Sequence, residues 1–215
     1  MKILICTVKS DIVYYMTKFL TYLFPSSEYY VVSLIRTMKH RVMMTKLYMK
    51  TVEKTLTEAQ DIVEAILRSN RITSITKDIV YGNKAQDLLK YAEKHAIDLI
   101  AITPRATHNL DRLGRFTEKI IKESRIPILL YTWKTDPIIV KKRVINIAKI
   151  GNPPLKILNE ISKNHGIKLV ALDKTSSTGN RLHEFDIIFI DKESFLKTPT
   201  KYLWIVSIIY ESIKK

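Results

Sequence analysis

The sequence predicts an α/β protein: a doubly wound, parallel five-stranded sheet followed by a smaller, truncated α/β repeat. Three observations carry that prediction. Between Ile72 and Trp133, strand-length and helix-length patterns alternate without interruption. Asp98–Ile102 (DLIAI) and Pro127–Trp133 (PILLYTW) are short, nearly continuous apolar runs, as strands buried on both faces require. Asn83–Ala96 and Leu110–Ser124 instead space their apolar residues by three and four, the helical period. Strands separated by helices of that length need crossover connections, and those give a parallel sheet.

Lys2–Val8 (KILICTV) reads as the first strand. Ser10 and Asp11 suit the start of the next helix, whose apolar stripe is Ile12, Met16, Phe19, Leu20 and Leu23. Pro25-Ser26-Ser27 ends it, and Tyr29–Ile35 is the second strand. Met38–Asn70 holds a long helix, alone or after a loop, with Tyr48, Val52, Leu56, Ala59, Val63 and Leu67 along one stripe. Its basic, methionine-rich beginning (KHRVMMTKLYMK) reads as core entry, with methionines filling gaps. Ile72–Tyr81 is the third strand. Asn109 is the expected N-cap of the helix after DLIAI, with Asp111 in its first turn.

Beyond a linker at Lys134–Pro137, the order strand, turn, helix, strand returns. Arg143–Ala148 is a strand, Gly151-Asn152-Pro153-Pro154 starts a helix with Asn152 as cap, and Gly166 ends it. Lys168–Leu172, Asp186–Ile190 and Leu203–Ile208 complete the set. Residues 1–133 are thus expected to form one domain, and residues 138–215 a shortened second copy lacking one helix and one strand.

A parallel sheet binds ligands beyond the carboxyl ends of its strands. Here that edge is Thr103–Asn109, next to a helix N-terminus whose free N–H groups suit an anion. Arg105 and Arg115 add cationic forks. The segments YGNKAQDLLKYAEKHAIDLIAI and LGRFTEKIIKESRIPILLY resemble the C-terminal half of a universal stress protein domain. That family has an adenine nucleotide alpha hydrolase-like fold, and many members bind ATP through a loop of pattern G-x2-G-x9-G-[S/T]. Gly82 matches the glycine after the third strand, Gly114 the last loop glycine, and Phe116-Thr117-Glu118 the helix that follows. Thr103 and Ala106 stand where the first two glycines would be. Seven residues, not nine, separate Ala106 from Gly114, and Arg115 replaces the small hydroxyl residue. Val8 stands where the family has an adenine-contacting aspartate, with Lys9 beside it.

Together these readings nominate Val8, Lys9, Thr103, Arg105, Ala106, Thr107, Gly114, Arg115 and Thr117 as ligand-binding residues. The resemblance implies ATP or another nucleotide as ligand. It also implies a last strand paired with Ile128–Trp133, which would cover two sheet edges. The Cβ atoms at the glycine positions impede close backbone approach, and the added cations favour a more anionic ligand.

Composition bounds the alternatives. The chain has 215 residues and a net charge of +15, split as +8 in residues 1–133 and +7 beyond. That charge makes nucleic acid a candidate partner, without any recognition motif to accompany it. The single Cys6 fits a reducing compartment. Lys9 and Asp11 interrupt the N-terminal apolar run, so no signal peptide is expected, and no run has the length to span a membrane. A cytoplasmic protein is expected. The five histidines and one cysteine show no metal-ligand spacing, and no catalytic motif or paired carboxylate supports an enzyme. His95 and His165 sit near helix C-termini, and His108 lies in the candidate loop as a surface residue. The leading expectation is a regulatory protein sensing a nucleotide or other anion without turnover. A decayed scaffold or dimerisation module is second, and a basic nucleic-acid binder third.

Overall fold

The computed structural model describes residues 1–35, 46–82, 85–104, 113–132, 143–172, 182–203 and 205–212. Branched and aromatic residues dominate β1 (Lys2–Cys6, KILIC) and β2 (Glu28–Ile35, EYYVVSLI), which suits a pleated, buried surface. β1 lies between β2 and β4 (Leu99–Ile102), parallel to both, with Ile3 opposite Tyr29 and Leu99. β3 (Ile75–Tyr81) flanks β2, and β5 (Ile128–Leu130) flanks β4, also parallel. The chain therefore starts mid-sheet, winds outward to β3, returns past β1 to β4 and ends at β5.

Strand alternation sorts the core into two layers. Ile3 and Ile5 face α1 (Asp11–Leu23) and α2 (Lys46–Ser69), packing with Met16, Phe19, Leu20, Val63 and Leu67. Leu4 and Cys6 face the opposite layer, with Leu88 and Leu89 of α3 (Ala85–Lys94) and Ile120 and Ile121 of α4 (Arg115–Glu123). Truncating a fully buried side chain here, such as Leu20, is worth about 2–5 kcal/mol.

The rest of the chain extends the same sheet. β6 (Val144–Ile150) lies between β7 (Gly166–Ala171) and β8 (Ile187–Asp191), parallel to both, and β8 pairs in parallel with β9 (Val206–Tyr210). β9 then pairs antiparallel with β5, Ile128 opposite Ile209 and Leu129 opposite Ile208. The result is one nine-stranded sheet of order β3-β2-β1-β4-β5-β9-β8-β6-β7. α5 (Leu155–Ser162) joins the α1 layer through Ile157 and Ile161. α6 (Lys192–Lys197) joins the α4 layer through Phe195.

Several expectations are corrected. The helix after DLIAI begins at Arg115, not Leu110: Leu113 and Gly114 are non-helical, and Gly114 is the cap in place of Asn109. β3 begins at Ile75, because Arg71 ends α2 in a left-handed conformation (φ 64°) and Ile72 is buried against the helix end. Pro154, not Asn152, caps α5, and Gly166 opens β7. Tyr48 is 52% exposed, so the apolar stripe of α2 is buried only from Ala59 onward. Most of KHRVMMTKLYMK lies outside the described residues, and Leu47 within it is exposed. α6 had no periodic signal of its own. Its start is set by Asp191, whose carboxylate accepts the Ser194 N–H at 3.0 Å.

Candidate functional site

The strand order reverses between β1 and β4, the one place in residues 1–133 where neighbouring strands send their connections to opposite sides. The carboxyl ends of both strands open there into a cleft. Cys6 ends β1, and Thr7 and Val8 follow it. Ile102 ends β4, and Thr103 follows it. Leu34 of β2 and Phe116 and Thr117 of α4 complete the wall. Its enclosed volume is about 40 Å³, far below the roughly 300–1,000 Å³ of ordinary small-molecule sites.

Each wall is fixed locally. Thr7 is fully buried; its N–H donates to Val32 O at 2.7 Å and its hydroxyl to Ile5 O at 3.3 Å. That holds the chain extended past β1, and Val8 packs half-buried against the α1 layer. Thr117 is 3% exposed, on the inward face of the first turn of α4. The N-terminus of α4 has no side-chain cap; Gly114 O accepts from Glu118 N at 3.0 Å. Among the described residues, no side chain caps the first-turn N–H groups, which point out of the helix.

Of the nominated residues, the fold brings Val8, Thr103 and Thr117 together. Gly114 and Arg115 sit at the adjoining helix start, Arg115 exposed. Lys9 is exposed, and its ammonium lies 3.7 Å from Glu58 of α2, beside the cleft rather than in its wall. Arg105, Ala106 and Thr107, with His108, Asn109 and Asp111, lie outside the described residues. Leu34, Cys6, Ile102 and Phe116 were not foreseen. Strand ends could have pointed to Cys6 and Ile102, whereas Leu34 needs the β1–β2 register. No described lining residue is an acid, a histidine or a lysine, so the wall offers no proton donor or acceptor of near-neutral pKa. Among the described residues no group of three or more His, Cys, Asp or Glu is placed to hold a metal.

The corresponding edge of residues 143–212, at the carboxyl ends of β6 and β8, is occupied from within. The Tyr210 hydroxyl donates to Ile150 O at 2.7 Å. Burial, and secondarily the Asp191 charge, push that phenol well above its ordinary pKa. Gly151 follows β6 at φ 87°, and a Cβ there would lie 2.9 Å from the Tyr210 hydroxyl.

A sequence model of the universal stress protein family matches residues 25–132. No curated protein matches the chain. Among solved structures, a universal stress protein from Archaeoglobus fulgidus DSM 4304 is similar at a TM-score of 0.65 and 12% identity, over 98% of this chain and 96% of that one. A protein of unknown function from Pseudomonas aeruginosa PAO1 is similar at 0.58 and 10% identity, over 98% and 92%. At such identities the likeness concerns the fold, and it spans both halves of the sheet.

Proposed function

Because this chain belongs to the universal stress protein family, we propose that it is a regulatory protein that senses a nucleotide or other anionic ligand at the β1–β4 cleft, without turnover. The observation that carries this reading is the uncapped N-terminus of α4 at the strand-order reversal. Gly114 supports it. Its φ of −59° suits any residue, and an added Cβ would meet nothing within 4 Å. Among the described residues neither backbone nor packing asks for glycine there, whereas an anion approaching the helix N–H groups would. With only about 40 Å³ enclosed by the described residues, the wall must open to hold a nucleotide. Binding then carries a conformational change, the output a sensor needs.

Calorimetric titration with ATP, AMP, cyclic nucleotides and polyphosphate tests the proposal. Gly114→Ala should cost under about 1 kcal/mol of stability yet weaken binding at least tenfold. Silence from all four ligands overturns it.

The same small volume, with Val8 in place of an adenine-reading acid, favours a second reading: a scaffold whose site has decayed. It predicts that Gly114→Ala and Arg115→Ala leave the protein's role unchanged. The net charge of +15 keeps nucleic acid as a third reading, which requires a gel shift that weakens steeply with salt.

Residues 138–215 read as a shortened second copy. The strand order β7-β6-β8-β9 repeats β2-β1-β4-β5, with no counterpart of α2 and β3 among the described residues. Tyr210 fills this copy's crevice, which makes it structural. A homodimer would need a surface other than the β5 edge, which β9 already covers. Within the described residues no helix is long and apolar enough to cross a membrane.

A further inference from the structure

We propose that the amino edge of the sheet, opposite the β1–β4 cleft, holds a second binding site, for a small phosphorylated polyol such as a sugar phosphate. A cavity of about 640 Å³ opens there, below the first residues of β1, β2 and β4 and above the turn into β3. That volume falls within the range of small-molecule sites.

Its charges are arranged for an anion. Lys2, Arg71 and Lys156 line it against two acids, Glu28 and Asp98. Both acids already accept hydrogen bonds, and Asp98 is also ion-paired, which leaves Lys2 and Arg71 against the single charge of Glu28. Asp98 accepts the Lys2 N–H at 2.9 Å and the Lys156 ammonium at 2.6 Å. Glu28 accepts the Tyr30 hydroxyl at 2.7 Å. The Arg71 guanidinium has no ion pair among the described residues, and its fork suits a phosphate.

α1, α2 and α3 end beside this cavity, and their C-terminal carbonyls would oppose an anion if left free. They are internally bonded. The buried Tyr29 hydroxyl donates to Leu20 O and Phe24 O, both at 3.0 Å. Ile72 N–H reaches Leu67 O and Ile97 N–H reaches Ala92 O, the closing bonds of α2 and α3. What the cavity presents is side chains, among them the hydroxyl residues Ser26, Ser27, Thr73 and Ser74. Ser27 is 4% exposed, and its hydroxyl has no partner among the described residues. Among the described residues no aromatic ring lines the cavity to stack a base, so hydroxyl-rich ligands fit better than nucleotides.

Arg71 is the discriminating residue. It holds φ 64° at the C-terminus of α2, where glycine is the usual occupant. Arg71→Gly should therefore fold at least as stably as the parent while losing the cation. The test is a heteronuclear NMR titration of the full chain with glucose 6-phosphate, at ionic strength held constant with chloride. Glucose, inorganic phosphate and AMP serve as comparison probes. The proposal expects saturable shifts at the amides of residues 26–28 and 73–74, at least tenfold weaker for Arg71→Gly and for each comparison probe. It is overturned by no response, by a response Arg71→Gly leaves intact, or by equal binding of AMP or inorganic phosphate. Shifts confined to Val8, Thr103 and Thr117 also overturn it, and would support the carboxyl-edge site instead.

Discussion

Asp98 and Asp186 make the same contact in the two halves of the sheet. Each immediately precedes its strand, β4 or β8. Each Oδ2 accepts a backbone N–H at 2.9 Å, from Lys2 and Asn146 respectively. Each returns its own N–H to the same residue's carbonyl, at 2.9 and 2.8 Å. DLIAI and DIIFI thus enter equivalent strand pairs through equivalent clamps. A shared clamp of this kind is what a duplicated unit retains, and it supports reading residues 138–215 as a second copy.

The Asp98 clamp predicts a pH dependence. Burial alone would raise its carboxyl, but the Lys156 ammonium and the Lys2 N–H outweigh it and hold the group below the usual carboxylate range. Its stabilisation is complete above the unfolded value near pH 4 and is lost as pH falls through the lower folded value. Asp98→Asn should cost about 1–3 kcal/mol at pH 7. In urea melts, that difference should shrink by pH 3. A difference that stays constant over this range contradicts the assignment.

Ala96 closes α3 at φ 51° without being glycine. The left-handed conformation costs an ordinary residue roughly 1–2 kcal/mol, partly offset by the unfolded-state entropy of glycine. Ala96→Gly should raise stability by up to about 1 kcal/mol. A lower urea midpoint would show that the α3 terminus is not under this strain.

Gly151 and Tyr210 are coupled in the opposite sense. Gly151→Ala forces a Cβ to within 2.9 Å of the Tyr210 hydroxyl at an already left-handed residue. It should cost about 1–3 kcal/mol. Tyr210→Phe removes the bond to Ile150 O and should cost about 1–3 kcal/mol. The double variant should lose less than the sum, since Phe removes the clashing oxygen, and a double-mutant cycle measures the difference.

The β5–β9 pair predicts an assembly state. Residues 1–133 expressed alone would leave the β5 edge, Ile128–Leu130, without its partner strand. That fragment should self-associate in light scattering, whereas the full chain should not do so through this edge. A monomeric, folded fragment would show that the edge needs no cover.

The strands were legible in the chain because a strand buried on both faces must be locally apolar. DLIAI and PILLY announce themselves without reference to any distant residue, and so do the helical stripes of α1 and α3. Helix limits were less legible. The start of α4 at Arg115 and the exposure of Tyr48 depend on where the sheet beneath ends, which no local pattern states. The cleft was half legible: Thr103 follows from a strand end, and Val8 and Thr117 from the family resemblance, but Leu34 and Phe116 arrive through register and helix rotation. The pairing of the last strand with β5 was expected and is found, but only tertiary structure fixed its register, Ile128 opposite Ile209 across 81 positions of sequence, seated Tyr210 in the second crevice and opened the amino-edge cavity beside Arg71. Periodicity is written residue by residue, whereas pairing and enclosure exist only between segments that folding brings together.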